Sequence, residues 1–92
     1  MRITFDPIKR ERTLTERGLD FTEAGRLFES DHLTFEDDRQ DYGERRLVTV
    51  GRMTGRMVVV VWTPRDGARH IISMRKANDR EQRRYEDRLG RS

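Results

Sequence analysis

The chain has 92 residues, of which 33% are hydrophobic and 40% are charged, so its core is thin and leaves no room for a large ligand cavity. It has no cysteine, which excludes a disulfide framework, a thiol nucleophile and any cysteine-based metal site. The apolar run over residues 57–62 is too short to span a membrane and the start lacks the apolar segment of a secretory signal, so we expect a cytoplasmic protein.

The formal charge of +3 is unevenly distributed along the chain. Residues 1–46 carry nine basic and 12 acidic residues, whereas residues 47–92 carry 11 basic and five acidic ones. Eighteen of the 20 basic residues are arginine, whose planar cation suits phosphate oxygens. This bias favours an anionic polymer as partner, although a GC-rich genome accounts for the arginine count equally well.

The first half of the chain predicts a strand and two helices. Residues 2–5 form the strand, and Asp6 and Pro7 start a polar helix that is ended at Gly18 by a left-handed cap. A second helix over residues 20–29 carries apolar residues at helical spacing, so we expect it to supply half of the core.

The second half predicts four strands and a closing helix. The entirely apolar segment over residues 57–63 is expected to be central and covered on both faces. Pro64 to Gly67 is interpreted as a turn with the proline at its second position, and residues 78–89 as a helix capped by Asn78 and Glu81. The four strands cover residues 32–36, 46–50, 57–63 and 69–75.

The elements follow the order β-α-α-β-β-β-β-α in a single domain spanning residues 1–92. Because the connections between neighbouring strands are short, we expect a small antiparallel β-sheet. The two N-terminal helices should pack on one face of this sheet, with the C-terminal helix added at the end, which makes the fold α+β.

Neither a metal ion nor a serine triad is indicated. The acidic loop over residues 37–44 lacks the alternating ligands and central glycine of a calcium loop, and His32 and His70 lack the spacing of a zinc motif. Ser73 lies within a strand rather than on the sharp turn that exposes a nucleophilic serine.

The basic residues around the last strand are the strongest candidate site. Strand alternation places Arg69, Ile71, Ser73 and Arg75 on one face, and Lys76 follows directly, so these residues predict one basic edge. The alternative is that the cations only contact water at the edge of the sheet.

Cleavage of RNA requires removal of the proton of a 2′-hydroxyl, stabilisation of a doubly charged phosphorane and return of a proton to the 5′-oxygen. Arginine suits the second task but has too high a pKa to act as an ordinary base. His70, Glu44 or a less orthodox group would then be the base. Trp62 is interpreted either as a platform for a nucleobase or as a core residue.

Several short motifs along the chain match one family in order and spacing. They are Asp6-Pro7-x-Lys9, residues 17–24, Gly55-Arg56, the valine run, Trp62-Thr63 and residues 71–77. Together these segments resemble BrnT, the toxin of a bacterial type II toxin–antitoxin pair, whose fold is similar to that of the RelE ribonucleases. The similarity covers residues 3–85.

The resemblance implies a toxin that inhibits translation by cutting RNA. It also implies a BrnA-like antitoxin with a ribbon-helix-helix part that neutralises the toxin, and a complex of the two that binds operator DNA. With no cofactor and no metal ligands, we expect a metal-independent endoribonuclease. The alternatives are a non-catalytic module that binds RNA or DNA, and a degenerate toxin that only binds its antitoxin.

The residues that match the active surface of the family are Trp62, Thr63, Arg65 and Arg75. We add His70 as a candidate proton shuttle, because Arg17 stands where the family usually has a histidine. The expected RNA-binding residues are Arg69, Lys76 and Tyr85.

Overall fold

The computed structural model describes residues 2–90, which form a five-stranded sheet, three α-helices and one 3-10 turn. The α+β class and the order of elements are confirmed. None of the helices within residues 2–90 is long and apolar enough to cross a membrane. In chain order the elements are β1 (Arg2–Phe5), α1 (Pro7–Arg17), the 3-10 turn (Phe21–Glu23), α2 (Ala24–Glu29), β2 (His32–Glu36), β3 (Leu47–Met53), β4 (Arg56–Arg65), β5 (Ala68–Lys76) and α3 (Asp79–Leu89).

The strands are arranged in the order β1-β5-β4-β3-β2, so β4 is central as its apolar sequence predicts. Strands β2 to β5 pair antiparallel, but β1 runs parallel to β5. The sheet is therefore mixed rather than wholly antiparallel. The hairpins determine the direction of β2 to β5, whereas β1 is separated from its partner by most of the chain and no local signal specifies its direction.

Local signals set the ends of α1 and α3 as predicted. The Asp6 side chain accepts a hydrogen bond from the Ile8 backbone N–H, and Gly18 ends α1 in the left-handed region at φ 69°. At α3, Asn78 and Glu81 complete the reciprocal capping box. The second predicted helix is shorter than expected, because its first turn is the 3-10 turn, capped by the Asp20 carboxylate.

Each face of the sheet carries its own apolar cluster. On the face that we call the α2 face, residues of the 3-10 turn and α2 pack on residues of the sheet. The cluster that they form includes Phe21, Ala24, Leu27, Val58, Val60, Trp62, Ile71 and Met74. On the opposite α3 face, Tyr85 and Leu89 pack against Val50, Met57 and Val59. The central strand is thus covered on both faces, as expected.

The two tight hairpins use residues with positive φ. Thr54 and Gly55 connect β3 to β4 at φ 55° and 74°, and Asp66 and Gly67 connect β4 to β5 at φ 52° and 75°. Positive φ at both central residues suits the twist of the flanking strands. The expected turn with Pro64 at its second position is wrong, because Pro64 lies within β4 opposite Arg69.

A β-bulge in β5 changes which side chains share a face. Val61 lies opposite Ser73 while Trp62 lies opposite Ile71, so Ile72 is an extra residue on β5. As a result Ile71 and Met74 both belong to the core of the α2 face, and Ser73 and Arg75 point to the α3 face. The prediction that Arg69, Ile71, Ser73 and Arg75 share one face is wrong, because simple alternation assumes an unbroken ladder.

Candidate active site on the open part of the α3 face

Helix α3 covers only part of its face of the sheet. Beyond it Val61, His70 and Ser73 are half-buried and Arg75 is exposed. The connection between β2 and β3, residues 37–46, borders this opening, and the resulting central groove has a volume of about 420 Å³. Its lining includes Phe35, Asp37, Arg39, Val61, Ser73, Arg75, Glu81 and Tyr85.

Arg75 is held in the central groove by a bidentate ion pair. Its Nη1 and Nη2 donate to the two carboxylate oxygens of Glu81 at 2.7 and 2.8 Å. Glu81 also accepts the Asn78 backbone N–H at 3.0 Å, so it is fixed on the first turn of α3. These hydrogen bonds raise the pKa of Arg75 and lower the pKa of Glu81, so both groups are charged. A phosphate at Arg75 would share the guanidinium with Glu81 or displace the carboxylate.

His70 lies on the same face, near the β4–β5 hairpin, and does not line the central groove. Its Nδ1 is 2.9 Å from the Thr4 hydroxyl on the adjacent strand β1. Burial lowers the pKa of His70, and the positive charge of Arg65 lowers it further. Arg65 itself is paired with Glu44 at 3.2 Å. The imidazole is therefore neutral at neutral pH, which is the form that accepts a proton.

Trp62 is a core residue rather than a platform for a nucleobase. Its side chain is on the α2 face and the residue is only 6% exposed. The indole N–H donates to the Thr49 hydroxyl at 2.8 Å, and the ring meets Phe28 edge-to-face. Of the two interpretations of Trp62, the structure supports the core one.

Thr63 is also buried, at the edge of the open face. Its exposed fraction is 1%, and its hydroxyl donates to the Arg45 carbonyl at 2.6 Å. Thr63 therefore anchors the connection that borders the central groove, because Arg45 lies in that connection. The residue supports the site without lining it.

The sequence model of the family described as "Ribonuclease toxin, BrnT, of type II toxin-antitoxin system" matches residues 5–81. The chain belongs to the BrnT family. The resemblance drawn from the motifs is thus confirmed, and membership supports an RNA substrate and an antitoxin as partners of this BrnT chain. Comparison with curated proteins finds no match.

The bulge separates the basic residues that alternation predicted as one edge of this BrnT chain. Arg75 faces the central groove, whereas Arg69 lies on the α2 face with its guanidinium 4.0 Å from the Phe28 ring centroid. Lys76 is exposed and lies opposite Val58, on the α2 side of β5. The prediction of a single basic edge is therefore wrong, because Arg75 points to the α3 face whereas Arg69 and Lys76 are on the α2 side.

Arg17, which the resemblance sets at the position of a usual histidine, has a structural contact in this BrnT chain. Its Nη1 donates to the Met74 carbonyl at 2.7 Å. Strand β1 pairs only with residues 68–71 of β5, so Arg17 satisfies a carbonyl on the edge that β1 leaves open. Arg17 does not line the central groove.

The sequence indicates Tyr85 but not Phe35 or the carboxylates among the residues that line the central groove. Asp37 belongs to the acidic loop for which the sequence indicates no function, but it is 8% exposed and accepts hydrogen bonds from Arg39 and Tyr42. Its position directly after β2 was the available signal. From the sequence, Glu81 is predicted only to cap α3. Within residues 2–90, no three His, Asp or Glu side chains come together as metal ligands would.

Proposed function

We propose that this BrnT chain is a metal-independent endoribonuclease toxin, with residues 1–92 as one RelE-like domain. We propose that it cuts RNA on the open part of the α3 face, between Arg75 in the central groove and His70 near the β4–β5 hairpin. The observation that carries the proposal is Arg75, a cation fixed on the open part of the sheet in a chain of a ribonuclease toxin family. Cutting messenger RNA would stop translation. Because translation takes place in the cytoplasm, the proposed location of the toxin is cytoplasmic.

The reaction that suits these groups is transfer of the phosphate to its own ribose. The 2′-oxygen forms a bond to phosphorus, the bond to the 5′-oxygen breaks, and the products are a 2′,3′-cyclic phosphate and a 5′-hydroxyl. Arg75 would stabilise the doubly charged phosphorane by hydrogen bonds that strengthen as the charge develops. Glu81 positions the guanidinium, and Arg65, which is paired with Glu44 near the hairpin, would become a second phosphate contact when the phosphate displaces that carboxylate.

His70 is the group that we propose to move the proton. Its lowered pKa keeps the ring neutral at neutral pH, so it can take the proton of the 2′-hydroxyl. The contact with Thr4 occupies Nδ1 and leaves Nε2 as the nitrogen for the substrate. The protonated ring could then return the proton to the departing 5′-oxygen.

The remaining residues of the site have supporting roles in this proposal. Trp62 would hold β4 in place beneath the central groove through its hydrogen bond to Thr49. Thr63 would hold the β2–β3 connection beside the central groove through its hydrogen bond to the Arg45 carbonyl. Arg69 and Lys76 would attract RNA from the α2 side, and Tyr85 forms part of the groove wall. The proposed antitoxin is BrnA-like, with a ribbon-helix-helix part through which the complex reaches operator DNA.

The first test is a translation reaction containing end-labelled messenger RNA and the toxin freed of antitoxin. We expect discrete cleavage, and a loss of at least about a hundredfold in Arg75→Ala, the scale of removing one charge-stabilising donor. Metal independence is tested on the same RNA without ribosomes, where cleavage should persist in EDTA. Arg83→Ala is the matched control, because Arg83 is an exposed arginine of α3 that does not line the central groove. Translation that stops while the RNA stays whole would support a binding inhibitor, and uninhibited translation a degenerate toxin.

The same reaction assigns the proton shuttle through its pH profile. The rate of the parent should fall on the acid side, below the ordinary histidine pKa of about 6.5, because only the neutral ring is a base. His70→Gln should lose at least about a hundredfold and should lack this acid limb. An acid limb that persists in His70→Gln would move the role of the base to another group, such as Glu44.

A further inference from the structure

A second groove lies between β2 and α3, next to the central groove. It has a volume of about 280 Å³ and is lined by Leu33, Thr34, Phe35, Arg84, Tyr85 and Arg88. We propose that this lateral groove binds a nucleotide of single-stranded RNA, with its base stacked on Phe35 and the neighbouring phosphates on Arg84 and Arg88. The inference rests on the proposed RNA substrate and adds a binding subsite outside the reacting groups.

Phe35 has the environment of a stacking platform. It is 42% exposed, and within residues 2–90 it is one of two large hydrophobic residues that are exposed. The ring lies parallel to that of Tyr85, with centroids 6.3 Å apart and an interplanar angle of 21°. Tyr85 is only 8% exposed, so it supports Phe35 from below and cannot itself receive a base. A nucleobase on the outer face of Phe35 would extend this stack.

The charges of the lateral groove favour an anion. Arg84 and Arg88 are its charged lining residues, and both are exposed. They lie one helical turn apart on α3, so their Cβ atoms are separated by about 5–6 Å. Within the part of the chain that the structure describes, neither has a carboxylate partner within 4 Å. An aromatic platform beside two such cations matches the requirements of a single strand, which are stacking and phosphate contacts.

The lateral groove is continuous with the proposed site of cleavage. Phe35 and Tyr85 line both grooves, so a nucleotide on Phe35 would be next to one at Arg75. Of the three carboxylates on the other side of the central groove, Glu36 pairs with Arg45 and Asp37 with Arg39, whereas the exposed Asp38 has no ion pair within residues 2–90. The unpaired carboxylate Asp38 thus lies on one side of the central groove and the unpaired cations Arg84 and Arg88 lie on α3. This difference in charge sets the direction in which the flanking RNA would leave the central groove.

The base contact is tested with a fluorescent oligoribonucleotide whose 2′-hydroxyls are methylated, so that it binds but cannot be cut. We expect Phe35→Leu, which keeps an apolar side chain over Tyr85, to weaken binding at least about fivefold, the lower end of what loss of one stacked base causes. Phe35→Trp should restore the affinity. Its indole fluorescence should be quenched by the oligonucleotide, since the native Trp62 is buried.

The phosphate contacts are tested by the dependence of the same affinity on salt. Replacing both Arg84 and Arg88 by glutamine should reduce the slope of log affinity against log salt by about 1.4, because each phosphate of a single strand that is no longer neutralised accounts for about 0.7. The matched control replaces Arg80 and Arg83, two exposed arginines of the same helix that do not line the lateral groove. This control should keep both the slope and the affinity of the parent.

The outcomes separate this inference from the proposed catalysis. Binding is measured with an oligonucleotide that cannot be cut, so it does not depend on catalysis. If the parent binds it through Phe35 but never cleaves RNA, the subsite stands and the proposed enzyme activity is rejected. If Phe35→Leu and the Arg84/Arg88 variant bind RNA like the parent, the subsite is rejected. If these variants bind RNA normally but lose affinity for the antitoxin, the groove is a protein-binding surface and the inference is also rejected.

Discussion

Arg69 and Arg75 are the same residue type on the same strand, yet the structure gives them different environments. Arg69 stacks on Phe28, and its Nε is buried with no hydrogen-bond partner within residues 2–90. Arg75 is paired with Glu81 on the open face, where a ligand can reach it. Charge alone therefore does not identify a functional arginine; the face and the partner of the side chain decide.

Trp62 gives a prediction about stability rather than catalysis. Trp62→Ala removes a large side chain from the core, so we expect the free energy of unfolding to fall by about 3–5 kcal/mol, measured by urea denaturation. In the parent protein the indole ring packs against Phe28, and its N–H donates a hydrogen bond to the Thr49 hydroxyl. Trp62→Phe keeps most of the packing and is the milder control. A Trp62→Ala protein that keeps its stability but loses cleavage would contradict the core interpretation.

Among the elements, α2 approaches the sheet closely because β3 carries a glycine beneath it. A Cβ atom on Gly51 would be 2.9 Å from the Leu27 Cγ and 3.2 Å from the Cβ of His32. The Leu27 side chain is fully buried, so it cannot move aside into solvent. The position of α2, and with it the packing of Phe28 on Trp62, depends on this contact.

Substitution of Gly51 tests that contact between α2 and β3. We expect Gly51→Ala to lower the free energy of unfolding by about 1–3 kcal/mol, as overpacking of a filled core does. The matched control is Gly25→Ala in α2, where an added Cβ meets nothing within 4 Å. This control should be neutral or stabilising by about 0.5–1 kcal/mol, because alanine is the better helix former. Equal effects of the two substitutions would show that the close approach is unimportant.

On the scale of the whole molecule, three carboxylates are each held by two hydrogen bonds from an arginine, and two of these pairs join different elements. Arg10 holds Asp20 between α1 and the 3-10 turn, Arg39 holds Asp37 in the β2–β3 connection, and Arg75 holds Glu81 between β5 and α3. In each pair the hydrogen bonds from the arginine lower the pKa of the carboxyl. The folded chain therefore favours the ionised carboxylates.

These lowered pKa values predict the direction in which acid affects the fold. Because the folded state binds fewer protons than the unfolded state, their contribution is complete above the ordinary carboxyl pKa of about 4 and is lost as the pH falls below it. The lowered pKa of His70 acts in the same direction, starting below about 6.5. The urea midpoint should therefore decrease as the pH falls from 7 to 3. Asp20→Asn should flatten the acid part of this curve, whereas Asp38→Asn, an exposed aspartate, should leave it unchanged.

Much of the fold is determined by residues that are close together in the sequence. The caps at Asp6, Gly18 and Asn78 were predictable because their hydrogen bonds join residues within four positions of each other. The central position of β4 was predictable because a strand covered on both faces has to be apolar at every position. The family was also evident from the sequence, since its motifs are read in order along the chain.

The candidate site depends on the tertiary structure. The extra residue Ile72 exists only relative to the register of β4, so the periodicity of β5 alone could not show that Arg69 and Arg75 face opposite sides. Likewise, the partner of Arg75 lies on α3, and Phe35 meets Tyr85 from a distant strand. The sequence by itself determined the elements, their order and the family, because these follow from short-range patterns. Only the packed structure decided which side chains share a groove, because that depends on register and on contacts between segments far apart in the chain.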